Sequence, residues 1–118
     1  MIRILDFDRL SCECDYLIKS TDIELICYGM HDDKYNSKSF IINSFLASNI
    51  VKAKEDIYYA NKKESYYAYE INAKIVDLDM KKVSLGEVYI LLDEKLPGDL
   101  KSGDYVHFDV LRLDISFI

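Results

Sequence analysis

Residues 66–79 alternate with period two, and this run most narrows what the chain can fold into. Tyr67, Tyr69, Ile71, Ala73 and Ile75 fall on one parity, and Tyr66, Glu70, Asn72 and Lys74 on the other. Side chains leave a strand on alternate faces, so the pattern predicts a strand with one face in a core and one in water. Aromatic and β-branched residues favour it further. A polar turn at 79–82 and a second strand at 83–93 follow. Val83 and Leu85 share one parity and Val88, Ile90 and Leu92 the other, with Gly86 at the switch, where a β-bulge is expected. Leu96-Pro97-Gly98-Asp99 and Ser102-Gly103-Asp104 carry turn chemistry. A third strand is predicted over 105–117. There Val106, Phe108 and Val110 share a face before Leu111, Leu113, Ile115 and Phe117 take over, as in a bulge or a strand bending between two sheets.

The first half is less regular. Strands are predicted over 3–10, 15–19, 22–28 and 39–46, with a polar loop over 29–38. Residues 43–63 read two ways. Leu46, Ile50, Ala53, Ile57 and Ala60 recur at helical spacing, yet Ile50-Val51 and Ile57-Tyr58-Tyr59 suit short strands. The expected fold is a single domain, 1–118, mainly β: a small antiparallel barrel or sandwich with at most one helix. An α+β domain with one helix in 43–63 is the alternative.

Composition bounds the rest. The chain has 118 residues, 50% hydrophobic and 31% charged, enough to bury one real core. Its net charge of −6 disfavours binding to a phosphate backbone, so no nucleic-acid partner is expected. Asp6 and Asp8 interrupt the apolar start, and no apolar run approaches the roughly 20 residues that span a bilayer. A cytoplasmic protein with no membrane association is the expectation. Three cysteines, Cys12, Cys14 and Cys27, suit reduced thiols better than a disulfide framework.

Few constellations carry chemistry. Cys12 and Cys14 are half of a soft-metal site at most, and His31 and His107 do not stand at zinc-ligand spacing, so buried thiols are the plainer reading and no metal is expected. His31-Asp32-Asp33 could be a base or a ligand group, but Asp and Asn are ordinary loop residues. Carboxylates two apart, Asp6/Asp8 and Asp77/Asp79, mark polar faces and strand ends as readily as paired-acid catalysis. No nucleophile elbow, phosphate-cradling glycine loop or other catalytic signature is present. The expectation is a non-enzyme without cofactor.

The stretch Gly103-Asp104-Tyr105-Val106-His107-Phe108-Asp109-Val110 resembles a strand of the cold-shock type of OB-fold, written Gly-x-x-Val-x-Phe-x-Val. The resemblance covers about a tenth of the chain and implies barrel topology. It does not extend to the aromatic and basic RNA-binding motifs of that family, whose charge has the opposite sign.

Tyrosine is the compositional excess: ten residues, five of them at Tyr58, Tyr59, Tyr66, Tyr67 and Tyr69. Tyr67 and Tyr69 share the apolar parity of Ile71 and read as sheet packing. Tyr58, Tyr59 and Tyr66, with Glu55, Asp56, Glu64 and Glu70 near them in sequence, read as a partner-binding surface. Tyr suits interfaces because a rigid ring carries a polar tip. Acidic charge around it suits a basic protein partner. The expected function is therefore a non-catalytic acidic protein-binding domain. In its sharper form it is a bacterial cytoplasmic immunity protein that occludes the active site of a basic toxin such as a nuclease. The alternative is a small OB-like barrel that binds nucleic acid or a ligand as an accessory domain. Exposed sheet edges leave a homodimer open.

Overall fold

The computed structural model describes residues 2–10, 13–30 and 39–118, with 6–10 as backbone alone. Cys12 and the His31-Asp32-Asp33 group lie outside the described residues. Eleven strands form: β1 (Arg3–Leu10), β2 (Glu13–Lys19), β3 (Glu24–Met30), β4 (Phe40–Phe45), β5 (Ser48–Lys52), β6 (Tyr59–Lys62), β7 (Tyr69–Asp77), β8 (Lys82–Leu85), β9 (Val88–Leu91), β10 (Tyr105–Val110) and β11 (Arg112–Phe117). No helix occurs among the described residues, so none is long and apolar enough to cross a membrane.

The domain is therefore mainly β, and the α+β alternative is overturned. Residues 43–63 supply the end of β4, then β5 and β6. The helical spacing there does not mark a buried face, since Leu46 and Ile57 are both exposed. Ile50, Val51 and Tyr59 instead lie in strands paired with β10 and β7, where branched and aromatic side chains fit the pleat. Gly86 is also reassigned. It opens a two-residue hairpin loop with Glu87, since Leu85 pairs with Val88, and its φ of 67° suits the first loop position.

All eleven strands join one sheet, ordered β1-β2-β3-β11-β4-β9-β8-β7-β10-β5, with β6 on the other side of β7. Two contacts are parallel, each a single bridge: Tyr28 with Asp114 (β3–β11) and Asn43 with Leu91 (β4–β9). The others are antiparallel. The sheet is not closed into a barrel, but it folds over sharply. β10 runs into β11 through Leu111 alone, and β4 into β5 through Leu46 and Ala47, although each pair stands well apart in the sheet order. The parity switch predicted at 110–111 is this bend, and Leu111 at its corner points to solvent. Both limbs of the sheet turn apolar faces inward to one cluster, with Tyr16, Leu25 and Leu113 meeting Ile71, Leu85 and Phe108. Non-directional apolar burial holds the bent sheet together.

A carboxylate pins the β4–β5 corner. Leu46 has φ 55°, and Asp93 gathers the groups around it. It accepts from Ser44 Oγ (2.5 Å), Leu46 N (2.9 Å) and Ala47 N (3.1 Å). Burial works to raise its pKa, but these hydrogen bonds outweigh burial and hold it below the usual aspartate value. Asp109 is likewise held low, first by Asn49 and then by Lys63. A depressed folded pKa contributes stability that is present above the unfolded value, near 4, and is lost as pH falls through the folded one. Asp93→Asn is therefore expected to cost roughly 2 kcal/mol at pH 7 and to weaken the loss of stability on acidification. Urea unfolding of both proteins at pH 7 and pH 3 checks this, and an equal acid loss in the two would contradict it.

Candidate functional site

Two neighbouring features lie on the solvent side of the sheet. The first is an aromatic cluster around Asp15. Pairing across β2, β3 and β11 sets Asp15, Tyr28 and Asp114 side by side, and the β6–β7 loop brings Tyr66 and Tyr67 onto them. Asp15, only 6% exposed, accepts from Tyr66 Oη (2.9 Å) and Tyr67 Oη (2.5 Å). Burial first, and then the bond to Asp15, push the Tyr67 phenol up. Tyr67 meets Tyr66 and Tyr28 edge-on, with ring centroids 4.7 and 5.9 Å apart. The Tyr28 hydroxyl donates to Glu13. Arg112 grips Asp114 with two nitrogens, and its guanidinium lies 4.4 Å from the centroids of both Tyr28 and Phe45. Each group is thus fixed by a neighbour.

Beside this cluster runs a groove of about 950 Å³ between the β4–β5 corner, the β6–β7 loop and the β10–β11 bend. Leu46, Ala47, Ala68, Val110 and Leu111 give it apolar walls, and Lys62, Lys63, Glu64, Glu70 and Asp109 charged ones. Lys62 Nζ donates to the carbonyls of Lys63 and Ser65 and sits over the Tyr66 and Tyr69 rings, 6.0 and 5.6 Å from their centroids. Burial lowers its pKa.

The second feature is a pocket of about 510 Å³, separated from the groove by Glu70. Residues 53–58 cross the outer face of the sheet from β5 to β6, passing β10 and β7. Asn72 of β7 fastens this crossover. Its Nδ2 donates to Glu55 O (3.2 Å) and Ile57 O (2.7 Å), leaving the side chain buried. Only an amide nitrogen can serve two carbonyls, so Asn72 Oδ1 must face His107 Nδ1, 3.0 Å away. That ring nitrogen therefore carries a proton. The other, Nε2, lies 3.3 Å from Glu70 Oε1, a hydrogen bond when Nε2 is protonated too.

These features distribute the residues singled out in the sequence. Glu55, Tyr59 and Glu70 come together in the pocket. Glu64 joins Glu70 in the groove, and Tyr66 sits at its aromatic end. Asp56 is exposed on the crossover. Tyr58 faces the other way from Tyr59: it packs on the core and donates to Asp22 (2.6 Å), under Gly86, where a Cβ would lie 2.9 Å from its hydroxyl. Asp15, Tyr28, Asn72 and Arg112 carry as much of the site and have no local signature. Among the described residues, no group of three or more His, Cys, Asp or Glu side chains could hold a metal. Cys14 and Cys27 are buried, and burial pushes the Cys27 thiol far up. Compared with known family models, curated proteins and solved structures, the chain matches none.

Proposed function

We propose that this chain is a non-catalytic protein-binding domain whose partner is basic. In the sharper form it is a bacterial cytoplasmic immunity protein that occludes the active cleft of a toxin such as a nuclease. The observation that carries the reading is the aromatic cluster at the groove. Tyr and Arg dominate interface hot spots, and here Tyr66, Tyr67, Tyr28 and Arg112 are held before any partner arrives, which lowers the ordering cost of binding. Tyr66 itself and Phe45, Leu46 and Leu111 around the cluster leave 37–55% of their surface in water. Exposed apolar side chains gathered beside a groove suit an interface. The net charge of −6 would steer a basic partner toward it.

The test is co-expression with the product of the reading frame immediately upstream. That product is expected to stop growth alone and to be harmless with this chain; harmlessness in both cases would remove the toxin-neutraliser reading. In the purified complex, Tyr66→Ala combined with Leu111→Ser is expected to weaken affinity about 100-fold or more. Raising salt should slow association more than it speeds dissociation. Titration calorimetry and stopped-flow mixing read both. Unchanged affinity in a folded double variant would move the interface elsewhere.

A further inference from the structure

We propose that the pocket under the 53–58 crossover binds the oxyanion group of a small molecule, a carboxylate or a phosphate monoester. Hydrogen-bond accounting leads there. His107 Nδ1 carries a proton because Asn72 Oδ1 faces it. It therefore has no lone pair for the Tyr59 hydroxyl, 3.5 Å away, which can only accept from it. The phenolic hydrogen of Tyr59 is left without an acceptor among the described residues. Lys52 and Lys54 line the same pocket, and neither has a carboxylate partner among the described residues. Of the two acids present, Glu70 lies 3.3 Å from His107 Nε2, an ion pair when that ring is protonated, and Glu55 has no ion-pair partner among the described residues. With His107 protonated, the lining sets Lys52, Lys54, His107 and the Tyr59 hydroxyl against the carboxylates of Glu55 and Glu70, an excess of donors and of one positive charge inside an acidic protein. An oxyanion satisfies that excess, accepting from several donors at once. Val51 and the Tyr59 ring offer apolar surface to a short body attached to it. At about 510 Å³ the pocket falls in the range of small-molecule sites.

Glu55 makes the proposal distinctive. As an uncompensated carboxylate beside the seat, it opposes an anion, so removing its charge should strengthen binding. The experiment titrates the full chain with inorganic phosphate, phenyl phosphate and benzoate, following the Asn72 side-chain amide and the His107 ring by nitrogen-detected NMR. Saturable shifts at both residues are expected from at least one probe. Saturation by the phosphates alone identifies a phosphate seat, and saturation by benzoate alone a carboxylate seat. Tyr59→Phe should weaken binding about fivefold and Lys52→Ala with Lys54→Ala about tenfold or more, while Glu55→Gln strengthens it. No saturable shift from any probe overturns the proposal. So does binding that Tyr59→Phe and the lysine pair leave unchanged. Because none of these residues belongs to the aromatic cluster, either outcome leaves the protein-binding reading to its own test.

Discussion

Gly29→Ala is expected to lower the stability of the chain by about 2–3 kcal/mol, although it adds only one methyl group. Gly29 lies in β3, where that strand meets β11. An added Cβ would stand 2.9 Å from Ile115 O, 3.0 Å from Ile115 Cγ2 and 3.3 Å from Tyr16 Cε2. The first is backbone and cannot swing aside, and Tyr16 is wholly buried. β3 and β11 are joined by the single Tyr28–Asp114 bridge. The only relief is to move β3, with β1 and β2 behind it, away from the rest of the sheet. That motion would also part Tyr28 from Arg112, so the folded variant should bind a partner less well. Gly98→Ala is the control: no atom lies within 4 Å of its added Cβ, and its cost should stay within about 0.5 kcal/mol. Urea unfolding decides. Equal costs at the two positions would mean that the β3–β11 contact is looser than its geometry.

Why some of this was legible and some was not follows from how far each signal reaches. Tyr69 to Ile75 declare a strand because each side chain's parity is set by its neighbours alone. The bend between β10 and β11 is readable for the same reason, as a change of parity at Leu111. Gly86 misleads because a bulge and a two-residue hairpin leave the same local trace, a glycine where the parity changes. Which one forms depends on whether Leu85 and Val88 pair with each other. The site is less legible still. Tyr66 stands out by composition, but Asp15, Tyr28 and Arg112 become its neighbours only through the order β2-β3-β11, and no local pattern encodes strand order. Asn72 does lie on the parity that faces water. What removes it from water is the crossover from β5 to β6, which depends on those strands flanking β10 and β7.

Asn72 is therefore where sheet and crossover are coupled, and its replacement should show it. Asn72→Ala removes both donors to Glu55 O and Ile57 O and the acceptor for His107 Nδ1. Leaving such groups unmet costs on the order of 1–3 kcal/mol each, but the two carbonyls can escape by lifting toward water. The expected result is local: a global loss of roughly 2 kcal/mol, with the crossover opening more often than the sheet unfolds. Tryptic cleavage after Lys54 reports that opening and should quicken at least tenfold relative to cleavage elsewhere. Asn72→Asp separates the two bonds. A carboxylate still accepts from His107, and pairs with it better than an amide does, but it turns an acceptor toward two carbonyls. If the crossover is held by the amide donors, the aspartate variant will be cleaved after Lys54 as fast as the alanine variant. If it is held through His107, the aspartate variant will resist cleavage like the native chain. The two carbonyl bonds, at 2.7 and 3.2 Å, favour the first outcome. In that case the roof over the pocket depends on one residue whose amide donates only to main-chain carbonyls, so side-chain changes at Glu55 can retune the pocket without releasing it.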